Sequence, residues 1–574
     1  MTGPSVFEQR LRFIGVGRRE FLKLVGALAT LHAPGFVTNA QASHLPQRSR
    51  DEKLARVQRI RMGGGGHFQQ DPASHDFNKD LYCGGHPALF AGLMRFNADF
   101  AAVPCLAAKV ESNKDGSVWT FHMRKDSGWS NGARCTAHDF AWSWKRQLDP
   151  ATVAPYAAFL YDIKNGEAFN KGAVTDPAGI GVHALDDYTL VVRLEGPRRY
   201  FPALTAYLAA LPAYRPAVER YGDRWTEAGH IVSNGPFMLA SWDHNRQLTL
   251  QKNPYYYAAK HVHLDTVITS IIPPTSGLLP YENNETEFSL VSLGDLQRAR
   301  SDPKLSQEVF PYPYPGTWYL IPQVTKPPFD NVKVRRAVAR AIDSAIVATV
   351  SQGFAIPAHC MVPPGFPGYV DDKPLRDIQR FDPTAARGEL AGTPFDRGRN
   401  WPKIVLSMRE EAYGAKPMAE AIQAMLLEHL NMRTELEVLE ARTFLDRLWK
   451  QDLQLVWIRW MMDYPDPHNE YFDPFYSKRS TGKRQAWTNA EFDRLLETAR
   501  GERGTRRRGE LYRRAEEVLQ RDVGYVPVTW VVRYAAVKPW VKGIETNRSG
   551  ERVVDGNIYV DMLSHLHITE RAPT

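Results

Sequence analysis

Between residues 314 and about 526, apolar and polar positions fall into blocks that predict alternating strands and helices. Asp330 or Asn331 caps a helix whose apolar positions are Val334, Ala337, Val338, Ala341, Ile342, Ala345 and Ile346, an i, i+3, i+4, i+7 stripe facing a core. Ile404–Met408 reads as a strand, Lys416–Leu430 as a helix, Glu435–Leu439 as a strand and Thr443–Lys450 as a short helix. The apolar run Leu453–Trp460 then predicts a strand buried on both faces, and Pro465 and Pro467 end its pairing. This βαβαβ order leaves the turn Asp463-Tyr464-Pro465-Asp466-Pro467 just past the carboxyl end of a buried strand, where open α/β sheets bind ligands. A carboxylate there, beside Trp460 and Tyr464, suits an amine with an apolar body to stack, although an ordinary strand-to-loop junction with a solvated Asp has the same pattern.

The earlier chain is a mixture of short elements. Val118–Arg124 alternates with period two, as a half-exposed strand does. Trp129-Ser130-Asn131-Gly132 is a tight turn, and Thr136 with Asp139 forms a capping box that opens a helix. Tyr188–Leu194, Gln247–Gln251, Thr266–Ile272 and Val526–Trp530 read as further strands. The glycine run Gly63–Gly66 lacks the Lys and Ser/Thr of a phosphate loop and is read as a flexible or strained loop. His261 and His263, with no acidic or Cys set nearby in sequence, read as exposed histidines rather than metal ligands.

Composition narrows the function. A chain of 574 residues, 43% hydrophobic, buries a large core and divides into two or three domains. The 14 Trp, 24 Tyr and 26 Phe serve the core and any ligand that is held by stacking. Gly17-Arg18-Arg19-Glu20-Phe21-Leu22-Lys23 matches the twin-arginine export pattern, with an apolar segment Leu24–Val37 and a small-x-small site at Ala40-Gln41-Ala42 after it. Residues 1–42 are therefore read as a signal peptide with Ser43 as the mature start, and no later stretch is apolar enough to cross a membrane. The leader holds five basic and two acidic residues, so its removal lowers the formal charge from +8 to +5, which argues against nucleic acid as a partner. No Cys follows the leader closely, so no lipid anchor is expected. Cys83, Cys105, Cys135 and Cys360 include no C-x-x-C, so no zinc site is expected; they form one disulfide or remain free and buried.

Several blocks share one resemblance. Trp460-Met461-Met462-Asp463-Tyr464-Pro465-Asp466-Pro467 resembles the W-x-x-D-Y-x-x-P segment of the oligopeptide- and dipeptide-binding proteins that serve ABC importers. Trp129–Arg146 resembles their W-S-N-G…T-A-x-D-F-x-x-S-W-x-R block, Ser233–Phe237 their T-N-G-P-F element, and Val537–Gly543 their L-V-K-P-W-V-x-G. The resemblance implies an α/β fold of the two-lobed periplasmic-binding-protein type, class II, with three domains and a hinge. Domain I would comprise 43–96, 209–313 and 527–574, domain II 97–208, and domain III 314–526. It implies that Asp463 holds a ligand's α-ammonium, that Arg459, Trp460 and Met461 offer a backbone edge, and that the loop carrying Asn78, Asp80 and Tyr82 touches the ligand backbone. The implied partners are a peptide and ABC permease subunits with their cytoplasmic ATPases; the chain would act as a monomer, without cofactor.

The departures concern the other end of the ligand. Trp457 and Leu448 stand where arginines that hold a peptide's C-terminal carboxylate would be expected, and Ala441 replaces an expected tryptophan. Arg447, Lys450 or Lys416 is a candidate substitute cation in this stretch, and a non-peptide solute (an opine-like compound, an oligosaccharide or a nickel complex) is the alternative ligand. Ser301-x-x-Lys304 and Ser480-x-x-Lys483 match a short nucleophile pattern, but without its companion motifs an exported peptidase is the weaker reading.

Overall fold

The computed structural model describes residues 53–63, 71–79, 86–271, 277–410, 414–478, 484, 486–554 and 561–570. The leader, Asp80, Tyr82, Cys83, glycines 64–66 and Ser480–Lys483 lie outside them.

One long mixed sheet organises the molecule. Its eleven strands are, in chain order, β1 (Arg59–Gly63), β2 (Phe237–Asp243), β3 (Gln247–Lys252), β4 (Thr266–Ser270), β5 (Phe288–Leu290), β6 (Val309–Pro322), β7 (Ala355–Pro357), β8 (Ile404–Arg409), β9 (Thr434–Leu439), β10 (Leu455–Met461) and β11 (Val526–Val537). They lie side by side in the order β9-β8-β10-β6-β11-β5-β1-β4-β3-β2, with β7 paired to β11. A separate four-stranded antiparallel sheet, residues 107–112, 118–123, 182–186 and 189–193, carries helix α1 (Ala137–Leu148), which opens with the expected capping box.

Strands β6 and β11 are long enough to serve both ends of the sheet. Gly316–Pro322 of β6 pair with β10, while Val309–Pro313 pair only with the far end of β11, and the β6–β11 register shifts between Pro313 and Thr317. The boundary expected at 313/314 therefore falls inside β6, and that at 526/527 falls at the start of β11. Alternate residues of β6 feed two hydrophobic cores. Tyr319 and Ile321 enter the larger core, with Phe121, Trp144 and Phe237, and Trp318 and Leu320 enter the other, with Leu406, Ile422 and Val528.

The apolar run before Asp463 behaves as its composition dictates. Leu455 and Trp457 enter one core, and Val456 and Ile458 the other. The strand begins at Leu455, not Leu453, and β8 and β9 lie parallel to it as a βαβαβ unit requires. The stripe from Val334 to Ile346 is not one helix. It forms α2 (Val332–Arg340) and α3 (Ser344–Val350), because Asp343 accepts from Ala345 N at 2.9 Å and starts a new helix inside the periodic pattern. Helix α4 (Ala415–Leu430) and α5 (Ala441–Trp449) follow. Cys105, Cys135 and Cys360 are free and buried. His261 is exposed, but His263 is half-buried with its ring edge-on to His567. Among the described residues no helix is long and apolar enough to cross a membrane.

Candidate functional site

Past Met461 the chain leaves the sheet and enters helix α6 (Pro467–Phe475). Asp466 is the N-cap, accepting from His468 N at 2.8 Å, and Pro467 occupies the first helical position, where its missing N–H costs nothing. Arg508, on helix α8 (Thr505–Arg521), donates to both Asp466 oxygens at 2.9 and 2.6 Å, so this carboxylate is fully employed in shaping the turn.

Asp463 sits between β10 and α6, and both its ends are held by Asn469: Asp463 N donates to Asn469 Oδ1 at 2.8 Å, and Asn469 Nδ2 donates to Asp463 Oδ2 at 3.2 Å. The same amide nitrogen donates to Asp473 at 2.8 Å. The remaining oxygen, Oδ1, accepts from the Tyr207 hydroxyl at 2.7 Å. Tyr207 is itself buried between Tyr156 and Phe159. Asp463 is half-buried, yet protein surrounds its carboxyl so closely that desolvation pushes it up to about 7, with the Tyr207 hydrogen bond opposing and the Asp473 charge adding. In this state the carboxylate is neutralised by protonation or awaits a cation.

The flanking strand residues divide by face. Trp460 is half-buried; its Nε1 is buried with no acceptor among the described residues, and the Arg484 guanidinium lies 4.8 Å over its ring. Arg459 points the opposite way, 5.4 Å over Trp318. Met461 faces Gly316 so closely that a Cβ there would lie 2.5 Å from its sulfur. Pairing of β10 with β8 stops at Trp457, so residues 458–461 form the end of the strand that β8 does not cover.

Two expected site residues are walls. Tyr464 is 2% exposed, stacked on Tyr200 with its hydroxyl bonded to His468 Nδ1 at 2.8 Å. Asn78 is wired into a buried network with Gln147 and with the Arg146–Asp76 ion pair, and no contact brings it to Asp463. Trp457 is core, stacked on Trp318 at 5.1 Å with Nε1 donating to Ala415 O, and Leu448 is fully buried. Nor do the substitute cations reach the site: Arg447 pairs with Glu437 and Asp452, Lys450 with Asp446, and Lys416 lies near Glu420.

Nearby, a second buried network ties α6 and α7 (Ala490–Gly501) to the small-sheet half of the chain. Asp162 accepts from Arg198 at 2.7 Å and from Arg500 of α7 at 2.5 Å, and Tyr200, which also bonds Asp162, stacks on His468 of α6 at 3.8 Å. Burial opposes the Asp162 charge, but Arg500 and Arg198 outweigh it and hold the carboxyl far below its usual range.

Residues 101–483 match the profile of the bacterial extracellular solute-binding proteins, family 5, middle region. The chain belongs to that family. Family 5 relatives extend well beyond the matched region. The chain is 34% identical over 460 residues to the oligopeptide-binding protein OppA of Bacillus subtilis, covering 77% of this chain and 83% of that one. It is 31% identical to the periplasmic oligopeptide-binding protein OppA of Salmonella typhimurium, over 82% and 87% of the two chains. Among solved structures, Haemophilus influenzae OppA in complex with the peptide RPPGFSPFR superposes with a TM-score of 0.73 at 26% identity, over 90% of this chain and all of that one. The two-lobed class II binding-protein fold expected from the sequence is thus the one observed.

The family explains why Asp463 and its strand were legible, since that segment carries the resemblance. The sequence does not single out Tyr207, Asn469 or Arg484, which meet Asp463 or Trp460 in the fold. Asn469 follows the turn directly and had a local signal; Tyr207 had none, because nothing in its own neighbourhood points to a partner 256 residues away.

Proposed function

We propose that this chain is the peptide-capturing subunit of an ABC importer, exported to the periplasm by its residues 1–42 and closing over its ligand about β6 and β11. One observation carries the reading: Asp463 is a desolvated carboxylate at the end of a strand whose last residues are open to pairing, in a family whose relatives are named for oligopeptides. An α-ammonium would replace the Tyr207 hydroxyl or share the carboxylate with it, and the ligand backbone would extend along residues 458–461 as an added strand. Tyr464 supports this site from behind. Since Trp457 of the strand and Leu448 of α5 are core, neither position holds the C-terminal carboxylate, and peptide length is set elsewhere. In this reading, 43–96, 209–313 and 527–574 form domain I, 97–208 domain II and 314–526 domain III; the chain works as a monomer, delivers to permease and ATPase subunits, and binds without catalysis.

Mass spectrometry of whatever co-purifies with the periplasmic protein, followed by calorimetry with tripeptides, tests the proposal. Intact peptides retained by the protein support it. Shortened peptides would mean a hydrolase, and a retained non-peptide solute would mean that the ligand class is wrong. Replacing Arg18 and Arg19 with Lys should leave the precursor in the cytoplasm, and normal export of that variant would sink the twin-arginine route.

A further inference from the structure

Seven residues beyond Asp463 lies a second carboxylate that the capture of an α-ammonium does not use. Glu470, on the first turns of α6, is 1% exposed, and among the described residues no group donates to either of its oxygens. Burying an unpaired carboxyl is costly, and a glutamine or methionine would fill the same volume more cheaply. Its surroundings are those of the site. Asn469, the preceding residue, grips Asp463 at both ends. Burial pushes the Glu470 carboxyl well up, with the nearby Asp463 and Glu516 charges adding, and the hydroxyl of the neighbouring Tyr319 meets Arg484 at 3.4 Å. Trp460 Nε1, beneath Arg484, also lacks an acceptor among the described residues.

The other acid near Glu470 is not in the same position. Glu516 accepts from Gln520, from the Tyr525 hydroxyl and from Met361 N at 3.4 Å, so its needs are met within the protein. Glu470 alone of the pair is left with lone pairs to satisfy. A captured peptide supplies an organic cation at this place, on a side chain next to its free amine. Two carboxylates within electrostatic reach repel when both are ionised, and a ligand end bearing two positive groups satisfies both at once.

We propose that Glu470 seats a cationic side chain on the first or second residue of the captured peptide, so that the site selects ligands with a lysine- or arginine-like group near their free amine. This rests on the peptide reading above and specifies its substrate class.

The test compares lysine with norleucine, which keeps the apolar stem and drops the ammonium. Calorimetry of wild type and Glu470→Gln with Lys-Ala-Ala, Ala-Lys-Ala and their norleucine counterparts reads the preference at each position. Wild type should favour lysine at one of the two positions by roughly tenfold to a hundredfold, the worth of a hydrogen bond to a charged group. Glu470→Gln should erase most of that ratio while binding the norleucine peptide as well as wild type does. Equal wild-type affinity for lysine and norleucine at both positions overturns the proposal and needs no variant. So does a ratio that persists in Glu470→Gln, which would place the lysine's partner on another group. Glu470→Met, which leaves no polar orphan, is the second variant if Glu470→Gln folds poorly. Failure of the peptide reading looks different: wild type would then bind none of these peptides, tri-alanine included.

Discussion

The Tyr207 hydroxyl donates to Asp463 Oδ1 at 2.7 Å, joining residues 256 positions apart. A phenol is a weak substitute for an ammonium. It satisfies one lone pair without supplying the charge that would let the carboxylate ionise, and the carboxyl stays up at about 7.

The sign of the pH effect follows. Asp463 rises on folding from 3.8 to about 7, so the protonated form is the one the ligand-free fold favours. Its contribution to ligand-free stability is full below pH 3.8 and fades as pH rises towards and through 7. An ammonium ligand requires the ionised form, so binding near pH 6 should release a proton and affinity should climb until pH passes 7. Calorimetry in buffers of different ionisation heats counts that proton. Asp463→Asn should show no such release; the same release in this variant would place the titration on another group.

In the proposed capture, charge at Asp463 is the anchor. Asp463→Asn keeps the shape and leaves a ligand ammonium without its partner, which should cost ~3–5 kcal/mol, or roughly two to four decades in affinity. N-acetylation of the ligand should hurt wild type comparably and the variant far less, because both changes remove one interaction. Additive losses in the four titrations would show that Asp463 does not hold the amine.

Asp466 is a neighbour with a different duty. It caps α6 and is locked to Arg508 in a buried two-bonded pair, so Asp466→Asn should cost stability, on the order of 3–5 kcal/mol, rather than affinity. Denaturant melts should shift while the folded fraction binds peptide nearly as wild type does. An affinity loss larger than that of Asp463→Asn would mean that the two carboxylates have been given each other's roles.

Trp457→Arg restores the residue type expected from the family pattern, and should fail. Trp457 is fully buried against Trp318, so the substitution drives an unpaired charge into a core and should destabilise by more than ~4 kcal/mol without improving affinity for a free C-terminus. A soluble variant that discriminates free acids from amides better than wild type would overturn that placement.

Closure itself is measurable. Ligand should reduce the radius of gyration in small-angle scattering and raise the melting temperature, since only the folded state binds. Arg500→Met, which breaks one arm of the Asp162 network between α7 and the small-sheet half, should enlarge the ligand-free radius. Identical scattering curves in all three samples would count against a hinge.

How much of this was readable beforehand depends on where each signal resides. Leu455–Ile458 announces a two-sided strand because each residue in turn meets a different core, and that cannot be hidden in sequence. Asp463 was readable because a short contiguous motif carries it. The break between α2 and α3 was hidden because the apolar period runs on unbroken past Asp343, whose capping role shows only in its bond to Ala345. Tyr464 misled for the opposite reason: an aromatic beside a binding carboxylate is as useful behind it as in front, and only packing on Tyr200 and His468 decides.

Strands β6 and β11 each belong to both ends of the sheet, and this bears on how the molecule comes apart. Neither core owns a complete set of strands, so neither can melt while the other keeps its edges paired. Heating should produce one cooperative transition despite the division into lobes, and damage in one core should propagate to the other. If closure runs about β6 and β11 as proposed, the connection that lets the cleft open and shut is also what denies either half a life of its own.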